Sequence, residues 1–216
     1  YSPELKKQLR QKGAAAPVLE AEVYMPTVNS VGLKEKAVVT TCDNFETETF
    51  TMTVTDHALV SHFDVTCSTG ELNVSKNAQV TGTVSVTSKM YLNASNSAQV
   101  SLTQNGGNAF VSQANSAYVD YKATLNTLEV ESAGGSESHI SGAASLLKVT
   151  SAGLSRVDTE LLESKDGDVV LSGSAKCHVN VTDHLKVNLV GGSMLTFKRN
   201  PVFEIDRIVN STLIKA

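Results

Sequence analysis

The sequence predicts an all-β fold: a right-handed parallel β-helix, or solenoid, of about ten rungs of about 19–20 residues each, with a short N-terminal helix. Three observations predict it. A phrase recurs down the chain, a turn-prone polar residue, a small residue, then a spaced apolar one: His57-Ala58-Leu59-Val60, Asn77-Ala78-Gln79-Val80, Ser97-Ala98-Gln99-Val100 and Ser116-Ala117-Tyr118-Val119. The residue two places after the small one is apolar in every copy. The residue six places before it is apolar in every copy but one.

With the small residue as anchor, the copies fall at Ala37, Ala58, Ala78, Ala98, Ala117, Ser138, Ser155, Ala175, Ser193 and Ser211. The steps between them are 21, 20, 20, 19, 21, 17, 20, 18 and 18 residues. Self-similarity at such a period marks a stacked-repeat fold. Two places on stand Val39, Val60, Val80, Val100, Val119, Ile140, Val157, Cys177, Leu195 and Leu213, a candidate core column. Six places before stand Val31, Met52, Leu72, Leu92, Val111, Ser132, Val149, Val169, Val187 and Ile205. Ser132 falls where the steps are most uneven, which predicts a bulge of one or two residues there.

The column seven places before the anchor faces the other way if these are strands. It reads Ser30, Thr51, Glu71, Tyr91, Phe110, Glu131, Lys148, Asp168, Lys186 and Glu204. From Glu131 onward the charge alternates at each repeat. Opposite charges on neighbouring strands attract, so this pattern predicts consecutive rungs in register.

In chain order, residues 1–17 form the helix and a linker. Ser2-Pro3-Glu4 supplies a cap, a first-turn proline and a first-turn acid, and Gly13 stops the helix. This segment either covers the exposed edge of the first rung or leads into it as a mobile arm. Residues 18–216 form one β-helix domain. Each rung has a strand, a corner at the anchor and a second strand. Some rungs add a third stretch, such as Thr83-Val84-Ser85-Val86. Ten rungs at ~4.8 Å make a rod about 45–50 Å long.

Composition excludes several functions. The net charge is −4, and the basic residues are scattered apart from Lys6, Lys7, Arg10 and Lys12, so nucleic acid is not an expected partner. Trp is absent and aromatics are 5% of the chain, so platforms for stacking bases are scarce. No apolar run approaches the ~18 residues of a membrane helix, which predicts a soluble chain with no transmembrane segment. The chain opens at Tyr1 rather than Met, consistent with removal of an upstream segment. The rung offsets of Cys42, Cys67 and Cys177 lie too far apart to bridge, and Cys177 falls in the core column.

No catalytic, cofactor or metal site emerges. His57, His62, His139, His178 and His184 show no zinc-pair spacing. Asp120 and Asp158 share an offset, but Ser141 falls between them in this alignment, leaving them about 9–10 Å apart, at the outer limit for an inverting carboxylate pair. Lys165-Asp166-Gly167-Asp168 is a turn by composition. One surface feature stands out. Tyr91 and Phe110 are adjacent in the outward column, flanked by Glu71 and Glu131, with Tyr118 on the same rung. This group is a candidate surface for a glycan or a protein. It reads equally as a cross-strand stabilising pair covered by the Gln104-Asn105-Gly106-Gly107-Asn108 loop.

The chain resembles the bacterial auto-transporter adhesins with a head GIN domain, over roughly Val23 to Ala216. Three segments carry the resemblance: Val23-Tyr24-Met25-Pro26-Thr27-Val28-Asn29-Ser30-Val31, Leu171-Ser172-Gly173-Ser174-Ala175-Lys176, and Val190-Gly191-Gly192-Ser193-Met194-Leu195-Thr196-Phe197-Lys198-Arg199-Asn200-Pro201. Arg199 stands where the family pattern has Gly, and many rungs carry Asn-Ala or Ser-Ala where it favours Gly-Ala-Ser. The resemblance implies a right-handed parallel β-helix, export to the periplasm or cell surface, and an adhesive role without catalytic residues.

The expected function is therefore an exported, non-enzymatic adhesin or scaffold. The alternative is a β-helix that binds or cleaves polysaccharide. A third expectation is end-to-end self-association through the open edge at Leu213–Ala216.

Overall fold

A computed structural model of the 216-residue chain describes residues 20–216. The expected N-terminal helix and cap over residues 1–17 lie outside the described residues. The described chain is a parallel β-solenoid of about ten turns, without a helix. Its strands are β1 Ser30–Leu33, β2 Val38–Val54, β3 Leu59–Ser75, β4 Gln79–Ser95, β5 Gln99–Asn105, β6 Asn108–Ala114, β7 Tyr118–Ser132, β8 Glu137–Gly153, β9 Arg156–Gly173, β10 Lys176–Val190, β11 Met194–Lys198, β12 Val202–Val209 and β13 Thr212–Lys215. Every pairing is parallel, rung on rung. β5 and β6 are halves of one rung, divided by the Gly106–Gly107 turn. Along β3 and β4 the register slips at Val60/Asp64 and Cys67/Thr69, so these rungs have three paired stretches.

Val, Thr and alternating apolar residues make these strands because one face must line the interior while the other meets water. The two apolar columns point inward: Leu72, Leu92, Val111, Val149 and Val169 in one, Val80, Val100, Val119, Val157 and Cys177 in the other, are all buried. Phe63 reaches under Gly82, where a Cβ would lie 2.1 Å from its ring. Cys42, Cys67 and Cys177 are free thiols, and burial raises the Cys177 pKa.

The small anchors are the inside of a repeated corner. From Ala37 to Ser193 the corner carbonyl of each rung accepts a backbone hydrogen bond from the next, such as Gln99 N–H to the Ala78 carbonyl at 3.0 Å. This ladder corrects the alignment at one rung. Glu137 N–H donates to Ala117 O at 2.9 Å and Arg156 N–H donates to Ser136 O at 2.9 Å, so the anchor there is Ser136, not Ser138. The uneven steps of 21 and 17 become 19 and 19. The bulge expected near Ser132 is absent: Val130 takes the core position, fully buried, between Val111 and Val149. Ser138 then falls between Val119 and Val157. Its hydroxyl is buried in an apolar column without a hydrogen-bond partner.

Two places before the anchor, the backbone turns left-handed in rung after rung. The residues are Glu35, Asp56, Lys76, Asn96, Asn115, Gly134, Gly153, Gly173 and Gly191. This requirement explains the Asp, Asn and Gly that fill most of this position, just ahead of the recurring phrase, because they tolerate positive φ better than other residues. Side chains in this ladder also stack in register. Lys76 Nζ donates to Asp56, whose carboxyl is held below its ordinary pKa chiefly by that hydrogen bond. Asn115 Nδ2 donates to Asn96 Oδ1 at 2.5 Å.

Candidate functional site

The outward column brings Tyr91 and Phe110 together, their ring centroids 6.3 Å apart and tilted by 56°. They are register partners on β4 and β6. Glu71 pairs with Tyr91 on the rung before. The acid beside Phe110 on the rung after is Glu129, not Glu131. Glu131 lies two residues along, opposite Ser112, because the anchor shift moves the column by two. The alternation of charge survives this correction as Glu129, Lys148, Asp168, Lys186 and Glu204. Its last step closes as an ion pair, Lys186 Nζ to Glu204 Oε1, at 2.9 Å.

Lys89, not singled out by the sequence reading, completes the aromatic group. It lies two residues before Tyr91 on the same face, and its Nζ sits 4.7 Å from the Tyr91 ring centroid and 5.7 Å from that of Phe110. That is cation–π range for both rings. On the other side is an amide row: Asn93 Nδ2 donates to Asn73 Oδ1 at 2.8 Å, and Asn73 Nδ2 to Glu71 Oε1 at 2.8 Å. Tyr91 is 38% exposed.

The neighbouring loop is held from beneath. Gln104 is fully buried, and its amide donates to the carbonyls of Gly106 at 2.9 Å and Asn108 at 3.2 Å. The buried Tyr121 hydroxyl donates to Gln104 Oε1. Asn108 pairs with Lys89 in the ladder, so the loop borders the aromatic group.

Tyr118 belongs to a different group. Its ring neighbour is His139, 5.7 Å away. His139 opens a second feature, three places after the anchor. In register, that column reads Asp120, His139, Asp158 and His178 on four successive rungs. With the anchor at Ser136, His139 rather than Ser141 separates the two aspartates. Asp158 Oδ2 lies 3.8 Å from His139 Nδ1 and 3.8 Å from His178 Nδ1. His139 Nε2 is 3.2 Å from Glu137 Oε1.

Glu160 lies two residues past Asp158 on the same outward face, just before a bulge on β9. From Asp158 to Leu161, β9 advances three residues while β8 advances two, from His139 to Ser141. The bulge leaves Leu161 76% exposed, and the Glu160 N–H donates to Asp158 Oδ1 at 3.1 Å. The Glu160 carboxylate pairs with Lys198 Nζ at 2.6 Å. Ligand atoms of Asp158, Glu160 and His178 lie within 4.8 Å of one another. A pocket of about 220 Å³ opens beside them, lined by Thr196, Phe197 and Lys198. Histidine spacing along the chain does not show this cluster, but the shared offset of Asp158 and His178, three places after Ser155 and Ala175, does.

No helix among the described residues is long and apolar enough to cross a membrane. A family model described as putative auto-transporter adhesin, head GIN domain, matches residues 32–201, most of the described solenoid. No curated protein and no solved structure matches the chain.

Proposed function

The chain belongs to the putative auto-transporter adhesin family with a head GIN domain, and on that premise we propose that it is an exported, non-enzymatic rod that binds a surface glycan. The observation that carries this reading is the outward group of Tyr91, Phe110 and Lys89 beside the amide row of Asn73 and Asn93. Aromatic faces pack against the C–H faces of a sugar, while amides and carboxylates take up its hydroxyls. A rigid solenoid holds these groups at fixed spacing, so little ordering cost accompanies binding. The family description supports both the adhesive role and the extracytoplasmic location. The test is a glycan and matrix-protein array probed with wild type and Tyr91→Ala. Glycan binding that the variant loses supports the reading. Binding to matrix proteins alone replaces the glycan with a protein partner.

Cleavage of polysaccharide is the competing reading, favoured by the convergence of Asp158 and Glu160. These carboxylates project from one strand, two residues apart, and Lys198 already holds Glu160. A glycosidic bond requires carboxylates on its two sides. Release of reducing ends by wild type, but not by Glu160→Gln, would establish cleavage.

Self-association is a second mode of partnering. β13 pairs only with β11 among the described residues, and Val202, Ile205, Val209 and Ile214 are exposed at that end. An open parallel edge of this kind templates a further strand. Sedimentation velocity over a range of concentrations tests it: growing species support stacking, and a constant monomer excludes it.

A further inference from the structure

We propose that Asp158, Glu160 and His178 form a binding site for a divalent transition cation of the zinc(II) class. Two features converge on it. Solenoid register stacks His178 on Asp158, and strand alternation sets Glu160, two residues on, on the same outward face. Among the described residues this is the one place where three potential ligands gather, and the β9 bulge at Leu161 directly adjoins it.

The donor set decides the class of ion. Two carboxylate oxygens and one imidazole nitrogen suit zinc, nickel, cobalt or copper(II). Magnesium and calcium favour all-oxygen shells, and the set has no thiolate to select copper(I). Cys177 adjoins His178 in sequence, but its side chain is buried in the core. Ligands held at ~2.0–2.2 Å lie within about 4.4 Å of one another across the ion, and these three ligand atoms, already within 4.8 Å of one another, need only small side-chain rotations to reach that. Three protein ligands leave at least one position open toward solvent, available to water or to a donor group on a partner. His139, 3.8 Å from Asp158 Oδ2 on the opposite side, is placed to orient that carboxylate.

Lys198 competes for the site. Its ammonium pairs with Glu160 at 2.6 Å, and a bound cation must displace it. That competition gives the site a signature that scattered surface histidines lack: removing the lysine strengthens binding, while removing a ligand weakens it.

The experiment is isothermal titration of zinc chloride into the whole chain, with bound metal counted after dialysis. Variants are Lys198→Met, His178→Ala and Asp158→Asn, each checked for unchanged β-sheet circular dichroism. The expected result is about one zinc per chain for wild type, binding at least several-fold tighter for Lys198→Met, and at least tenfold weaker for His178→Ala. Should His178→Ala not fold, Asp158→Asn, an outward carboxylate, carries the same expectation. Absence of saturable binding in both wild type and Lys198→Met overturns the site. So does binding undiminished in His178→Ala or Asp158→Asn, which would place the zinc elsewhere.

Discussion

Arg199 Nη2 lies 2.9 Å from Glu163 Oε2, a contact that spans two rungs of the solenoid. On the rung between them, Asn180 Oδ1 accepts from Arg199 Nε at 3.2 Å. Arg199 has φ 70°, in the left-handed region. The glycine of the family pattern at this position follows from that backbone, and this chain instead holds an arginine there with two side-chain contacts. Both charged groups of the Glu163 pair are more than half exposed, so the pair contributes at most about 1 kcal/mol. Left-handed backbone at a non-glycine residue costs about 1–3 kcal/mol. Arg199→Gly is therefore expected to be neutral or slightly stabilising in urea unfolding, and Arg199→Ala destabilising. Equal midpoints for the two variants would contradict the backbone argument.

The corner ladder makes a sharper demand at Gly153. Its φ is 78°, and a Cβ there would lie 3.1 Å from the Gly134 carbonyl oxygen on the preceding rung. Gly153→Ala is expected to lower stability by about 1–3 kcal/mol. A thermal midpoint unchanged from wild type would remove the ladder from the account.

How much was legible beforehand follows from these corners. The period, the inward columns and the adjacency of Tyr91 and Phe110 are readable because a corner that stacks on itself tolerates only small residues inside. The phase failed at one rung because Gly134-Gly135-Ser136-Glu137-Ser138 offers two small residues of equal standing, and backbone hydrogen bonds choose between them. That shift of two residues put Glu131 where Glu129 stands and hid His139 between Asp120 and Asp158. Lys89 and Glu160 were not legible. One depends on how a long side chain folds over two rings, the other is a single acid two places past Asp158 that neighbouring rungs do not repeat.

Ser138 offers a gain in stability. Its hydroxyl is buried between Val119 and Val157 with no partner, and an unpaired buried polar group costs about 1–3 kcal/mol. Ser138→Ala is expected to raise the urea midpoint. A fall would show that the hydroxyl is satisfied, for instance by a buried water.

Tyr121 carries the opposite expectation. Tyr121→Phe leaves Gln104 Oε1 buried without its donor, beneath the turn that divides β5 from β6. The expected loss is about 1–3 kcal/mol, with faster amide exchange at Gly106 and Gly107. Unchanged exchange there would mean that the hydrogen bond does not hold the loop.

Acid should loosen the first corners. The Asp56 carboxyl titrates below its ordinary value when folded, so its contribution is present above the ordinary value and is lost as pH falls through the lower folded one. Lys186 is shifted upward by Glu204 and Asp206, so its contribution is present below the ordinary lysine value and is lost as pH rises through the higher folded one. Asp56→Asn is expected to be less stable than wild type at pH 7, with the gap closing toward pH 2. A gap independent of pH would contradict the Asp56–Lys76 pairing.

The claim that the outward aromatic group is the binding face meets its most direct test in affinities for the strongest glycan found on the array. The variants are Tyr91→Ala, Phe110→Ala and Glu131→Gln, with His178→Ala as a probe of the other face. The account predicts at least tenfold weaker binding for the two aromatic variants, because truncated anchors at a binding centre cost 1.4 kcal/mol or more. It predicts wild-type affinity for Glu131→Gln, which lies two residues off the column, and for His178→Ala. Equal affinity of wild type and both aromatic variants would contradict it.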